Sequence, residues 1–175
     1  MFKRINLIII LFSIFFFNSF SFAENKILFI DLDYVYSNSK AGKEINNRIK
    51  EKTKSINLEL NKYRKIIDDN KKDLATKKNV LAKEEFEKKY IELEKLIKES
   101  NIKISKKNKD LIQFKNKAEI EFKKNLDTVL KTYAKDNSIQ MIINKKNILI
   151  GKNDLDATKD ILKLFDKTVK TIKLN

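Results

Sequence analysis

The chain of 175 residues contains no cysteine, histidine or proline and only two glycines. Without Cys it can form neither a disulfide, a thiol nucleophile nor a lipid-modified cysteine. Without His, the Ser-His-Asp relay and zinc sites with imidazole or thiolate ligands are excluded as well. Few Gly and no Pro argue against sandwiches, barrels and doubly wound α/β sheets, all of which need many tight turns. What is present is Lys, Glu, Leu, Ile and Asn, with 36% charged and 42% apolar residues. That composition fits neither a membrane bundle nor a disordered tail, but a chain of long helices about one domain in length.

Residues 1–23 read as a secretory signal. Lys3 and Arg4 supply the positive start, residues 5–17 form an apolar run, and Ser21-Phe22-Ala23 places small residues at a cleavage site. A transmembrane span needs about 20 apolar residues, so cleavage after Ala23 and export are expected; an uncleaved anchor in the inner membrane is the alternative. The formal charge is +15, and removal of Lys3 and Arg4 leaves +13. Residues 24–42 carry −1, residues 43–134 carry +10 and residues 135–175 carry +4. Only Arg4, Arg48 and Arg64 are arginines, so the field is one of lysines, suited to diffuse attraction rather than bidentate recognition. For an exported chain with no nucleic-acid-reading motif, acidic polypeptides, lipopolysaccharide or an anionic lipid surface are the fitting partners, and nucleic acid is not.

Residues 26–31 form a short strand, followed by a turn or short helix in which Ser37, Asn38 or Ser39 is a cap and Gly42 a break. Ile49, Thr53, Ile56, Leu60, Tyr63, Ile67, Asn70 and Leu74 then recur at alternating spacings of four and three, a heptad seam. The seam resumes at Phe86, Tyr90, Leu93, Ile97, Ser100, Ile104, Lys107, Leu111, Phe114 and Ala118. Two such helices joined by a short link predict an antiparallel hairpin of about 50 Å, with its tip at residues 75–83 and Lys43 level with about Lys115. Residues 138–143 and 147–150 read as a β-hairpin turning at Asn144-Lys145-Lys146. Asp154 or Asp156 caps a last helix carrying Ile161, Leu162, Phe165, Val169 and Ile172. A body of three short strands has open edges and a small core, so a homo-oligomer is expected.

Three features invite a chemical reading. A strand ending in Asp31-Leu32-Asp33 resembles the nucleophile and acid of magnesium-dependent phosphatases, but those enzymes need a large parallel sheet, and two polar residues closing a strand is the simpler account. Gly42-Lys43 lacks the other residues of a phosphate loop and marks a helix start. The clusters Lys71-Lys72, Lys77-Lys78, Lys88-Lys89 and Lys106-Lys107 are either a solvated coiled-coil face or a basic binding surface. No catalytic residue, metal site or cofactor emerges.

The layout resembles the Skp/OmpH family of periplasmic chaperones over essentially the whole chain after residue 23. The resemblance rests on the strand at residues 26–31, Ser39-Lys40-Ala41-Gly42-Lys43 opening the first long helix, Ile139-Gln140-Met141-Ile142-Ile143 with residues 147–151, and Asp156-Ala157-Thr158-Lys159-Asp160-Ile161-Leu162. The scarcity of Arg departs from many members. The resemblance implies a mostly α fold with a small β body, residues 24–42 and 116–175, shared in a homotrimer, and a coiled-coil hairpin arm, residues 43–115. It also implies a periplasmic, ATP-independent holdase for unfolded outer-membrane β-barrel proteins, bound in a cavity between the arms. Charge and exposure then nominate Tyr63, Leu74, Val80, Leu81, Phe86 and Tyr90 for client contact, with Lys71, Lys72, Lys77, Lys78, Lys88 and Lys89 for attraction. Strand alternation nominates Ile27, Phe29, Ile142, Ile148 and Ile150 for the body core, closed by Phe165 and Val169.

Overall fold

The computed structural model describes residues 26–174; the expected secretory signal, residues 1–23, lies outside the described residues. In chain order the elements are β1 (Lys26–Ile30), α1 (Leu32–Asn38), α2 (Lys40–Lys77), α3 (Lys83–Asp136), β2 (Ile139–Asn144), two single 3-10 turns (Lys145–Asn147 and Asn153–Leu155) and α4 (Thr158–Thr168). The fold is a small body with a long antiparallel helical hairpin.

β1 and β2 pair in parallel, with Leu28 opposite Ile142 and Ile30 opposite Asn144, after a register shift at Lys26/Ile27. Parallel neighbours need a crossover connection, and here the crossover is the whole hairpin. On the other edge of β1, Phe29 bridges to Asp156, and the Ala157 amide donates to the Phe29 carbonyl (2.9 Å). The inner half of β1 is therefore covered on both edges, and Leu28, Phe29 and Ile30 are all buried.

The core gathers Leu28 and Ile30 with Val35, Ile45, Phe122, Ile161 and Phe165. The expected parity is thus corrected: Leu28 and Ile30 face the core, whereas Ile27 is exposed and Phe29 lies on the opposite side, under Gly151 and the Lys145 ammonium. A second correction concerns residues 147–150, which form no strand in the chain. The Asn144 side chain accepts from the Lys146 amide, Ile148 closes a 3-10 turn on Lys145, and the two lysines pair with Asp156 and Asp33. These contacts pull the chain toward β1 instead of back along β2. Ile148 is half-buried and Ile150 is 94% exposed, so neither joins the single-chain core. Ile142 packs partly against that core; Phe165 and Val169 are buried in it.

Asp31 caps α1 by accepting from the Tyr34 amide (2.9 Å), and its own amide donates to Thr158 Oγ1 (2.9 Å). Ser39 caps α2, its buried hydroxyl accepting from the Gly42 amide (3.1 Å). Asp166 of α4 accepts from the Lys40 amide (2.8 Å), so the carboxyl-terminal helix also caps the arm. Gly42 is not the break expected of it; it sits inside the first turn of α2. Its lack of a side chain is needed there, because a Cβ would fall 1.7 Å from the Tyr36 carbonyl oxygen.

At about 1.5 Å per residue, α2 spans roughly 57 Å and α3 roughly 81 Å, the excess of α3 running into the body. At the tip the Val80 and Leu81 amides both donate to the Lys77 carbonyl. The register of the hairpin differs from the expected one. Glu59 meets Lys103 and Lys107, and Phe114 lies under Arg48 and Lys52, which puts Lys43 level with the region of Phe122 rather than Lys115. The paired residues are symmetric about residue 82, whereas the connection itself, residues 78–82, centres on Val80, so the two helices do not leave the turn in equal step.

Gly42→Ala is expected to destabilise the chain by about 1–3 kcal/mol through overpacking against Tyr36. Ser39→Ala should cost about 1 kcal/mol through loss of the cap. Urea midpoints at constant slope measure both.

Candidate functional site

The surface that distinguishes this molecule is the arm. Its seam follows the four-three spacing, and Ile56, Leu74, Leu93, Ser100 and Ala118 are buried in it. The rest is half-buried, except Asn70 and Tyr90, which are exposed. Two helices alone bury only a narrow stripe of each other, so much apolar side chain stays near solvent.

The nominated contact residues fall into different environments. Val80, at the tip, is 81% exposed, and Leu81 and Phe86 beside it are half-buried. Tyr90 is half-exposed, and the Glu94 carboxylate holds its phenol above the ordinary tyrosine range. Leu74, by contrast, is buried between the helices, so it offers no free surface while the hairpin is closed. Tyr63 lies about 16 Å down the arm from Leu74, and its hydroxyl accepts from Lys103 (3.2 Å). The structure thus brings Val80, Leu81 and Phe86 together and leaves Tyr63 apart from them. Of the basic set, Lys71, Lys72, Lys78 and Lys88 are exposed, Lys89 is half-buried, and Lys77 pairs with Asp73 (2.8 Å).

Midway along the arm, Lys107 occupies a seam position meant for an apolar residue. Its ammonium pairs with Glu59, which also receives Lys103 (3.1 Å). The hydrogen bonds from Lys107 and Lys103 hold the Glu59 carboxyl below its ordinary range.

At the body, Asp31, Tyr34, Lys145, Asn153, Asp156, Thr158 and Lys159 line an open cleft of ≈ 340 Å³. Its acids have structural tasks. Asp31 caps α1, and Asp156 accepts from the Thr158 amide (3.0 Å), the Thr158 hydroxyl and Lys145 (2.9 Å). Asp33 pairs with Lys146 (2.5 Å). Among the described residues, no buried side-chain polar atom lacks a partner, and no group of three or more potential ligands is placed to hold a metal.

The reading by seam alone missed Leu58, Ile91, Ile102, Ile112 and Ile120, all exposed on the arm away from the helix interface. Their signal was present as apolar residues outside the four-three positions. It likewise missed Met141 and Leu149, which are exposed on the body.

The model of the family described as outer membrane protein (OmpH-like) matches residues 26–165. The chain belongs to that OmpH-like family. No curated protein matches it by sequence. Among solved structures, a candidate OmpH-like outer membrane chaperone from Caulobacter crescentus superposes with a TM-score of 0.78 at 19% identity. The alignment covers 86% of this chain and 89% of that one. At that identity the likeness speaks for the fold: helical arm and small sheet are common to both. Among the described residues of the OmpH-like chain, no helix is long and apolar enough to cross a membrane.

The family match takes in the Asp156-Ala157-Thr158 junction, whose electrostatics are testable. Burial opposes ionisation of Asp156, but the hydrogen bonds from Thr158 and Lys145 prevail and leave its carboxyl below the ordinary range. A depressed folded pKa adds stability above the unfolded value, and that stability is lost as pH falls through the folded one. Asp156→Ala in this OmpH-like chain should cost about 1 kcal/mol at neutral pH. It should also flatten the decline of urea midpoints below the ordinary aspartate range. A variant with the wild-type acid profile would remove the junction from the account.

Proposed function

We propose that this chain is an ATP-independent holdase chaperone of the periplasm that binds unfolded outer-membrane β-barrel proteins and prevents their aggregation. The observation that carries the reading is the arm on an OmpH-like fold. It is a projection of roughly 57 Å with an excess of ten positive charges over residues 43–134 and apolar side chains left outside its seam. Lysines at that density attract acidic polypeptides from a distance and are screened by salt. Val80, Leu81, Phe86 and Tyr90 at the tip, with Leu58, Ile91, Ile102 and Ile112 along the shaft, then hold an unfolded strand by many weak contacts. Such contacts leave the client mobile and releasable, which suits a carrier without an energy source. Lys71, Lys72, Lys78, Lys88 and Lys89 supply attraction near the tip, with Lys77 in part engaged by Asp73. Anionic lipid or lipopolysaccharide surfaces fit the same charge. No enzymatic activity and no cofactor belong to this reading.

The assembly proposed is a homotrimer whose arms enclose the client. Support comes from the body, where β2 is paired along one edge only within the two-stranded sheet and carries the exposed Met141, while Leu149 and Ile150 are exposed in the segment that follows it. Exposed apolar residues at an unpaired strand edge favour association. The body residues nominated from alternation divide accordingly: Ile27 and Ile150 belong to the subunit interface, Ile142 and Ile148 to its margin, and Phe29, Phe165 and Val169 to the interior of each subunit.

The deciding experiment dilutes an unfolded β-barrel membrane protein from urea into the chain lacking residues 1–23 and follows light scattering. Suppression is expected to saturate near three chains per client and to weaken markedly as salt is raised. Reversing Lys71, Lys72, Lys78 and Lys88 to Glu should reproduce the effect of salt. Aggregation undiminished at any ratio would refute the holdase. Leu149→Asp with Ile150→Asp should convert the trimer to monomers by sedimentation, and a variant that stays trimeric would place the interface elsewhere.

A further inference from the structure

The midpoint of the arm combines polar residues in its seam with its densest charge pairing across the helices. Seam positions there are filled by Thr53, Ser100 and Lys107, and Lys52, Ser55, Ile56, Lys107, Asp110 and Leu111 line a cleft of ≈ 220 Å³ between the helices. Against this thin packing stands one three-part ion pair. Glu59, 19% exposed, receives both Lys103 and Lys107, and Tyr63 accepts a further bond from Lys103. The two lysines are one helical turn apart, so loss of the carboxylate would leave like charges side by side. Toward the body the hairpin is anchored by Ala41, Ile45, Ala118 and Phe122 in the core. Toward the tip it has only the narrow seam, interrupted by exposed Asn70 and Tyr90.

We propose that Glu59, Lys103 and Lys107 form a clasp that holds the outer half of the arm shut. Charge competing for these lysines, whether salt or the carboxylates of an acidic bound polypeptide, opens the outer seam. Opening exposes Tyr63, Ile67, Leu74, Leu93 and Ile97, so the arm keeps a reserve of apolar surface that is uncovered on demand. The client-driven part rests on the holdase reading; the clasp itself does not. It differs from a register lock, because the base anchors already fix which residues face each other.

The chain has no cysteine, so pairs of spin labels can be introduced cleanly. Asp69→Cys with Lys95→Cys reports on the outer half, and Asn47→Cys with Asn116→Cys on the inner half. In the Glu59→Gln variant the outer distance should lengthen by on the order of 5 Å, half a helix diameter, and broaden, while the inner one stays fixed. High salt or poly-glutamate added to the otherwise wild-type chain should do the same, and the emission of Nile red, a neutral probe of apolar surface, should rise. The charge-reversed triple Glu59→Lys, Lys103→Glu, Lys107→Glu should close the arm again. An outer pair unmoved by Glu59→Gln would overturn the clasp, and one unmoved by poly-glutamate would overturn the competition. Broadening of both pairs would overturn its confinement to the outer half. All readouts are made without client, so their failure is distinct from failure to suppress aggregation.

Discussion

Everything in this molecule hangs on the closure of one short parallel strand pair. β1 and β2 carry five and six residues, too few to stand as a sheet without cover. They persist because β1 is enclosed by β2 on one edge and the Asp156-Ala157 segment on the other, while Phe165 and Ile161 of α4 close the apolar face. The same enclosure brings the two ends of the arm side by side. Ser39, Asp166 and the bare backbone at Gly42 then set the direction in which α2 leaves the body.

From that base outward the balance of forces changes. In the body, burial decides, and residues such as Phe165 and Val35 are wholly enclosed. Along the arm, enclosure thins to a stripe and charge takes a growing share. Phe114 is covered by Arg48 and Lys52, and Glu59 is gripped by two lysines. Such contacts yield to competing charge and salt in a way that buried apolar packing does not, which is why the arm is a softer object than its anchorage. On the proposed holdase reading that softness is useful, since a dry, close-packed seam would have no apolar atoms to offer.

What could be read from sequence was what depends on local periodicity. The seam from Ile49 to Ala118, the amphipathic last helix around Ile161 and Phe165 and the cap at Ser39 are all written in spacings of three and four or in a single polar residue. What could not be read depends on partners distant in the chain. The parity of β1 is not given by alternation, which identifies one buried face; this strand is covered on one face by the core around Phe165 and on the other by Gly151 and Lys145, all more than a hundred residues away. Residues 147–150 have strand-forming side chains, yet Asn144 and the pairing of Lys145 and Lys146 redirect the chain. The hairpin register was offset because a link without Gly or Pro has no marker for its centre. The outward-facing isoleucines of the arm fall outside the four-three spacing, so periodicity alone assigns them no place.

The crossover nature of the arm has a consequence for how the chain acquires its structure. β1 is made early, but its partner β2 comes only after more than a hundred intervening residues, so the body is a contact of long sequence separation. Hairpin contacts, by contrast, are progressively more local toward the tip. Contact order therefore favours folding from the tip inward, since helix pairing that zips toward the base shortens the effective loop that strand closure must overcome. Until then β1 is an unpaired apolar strand of the kind prone to aggregate. On the proposed holdase reading, the chain begins its own life carrying a segment of the kind it would shield.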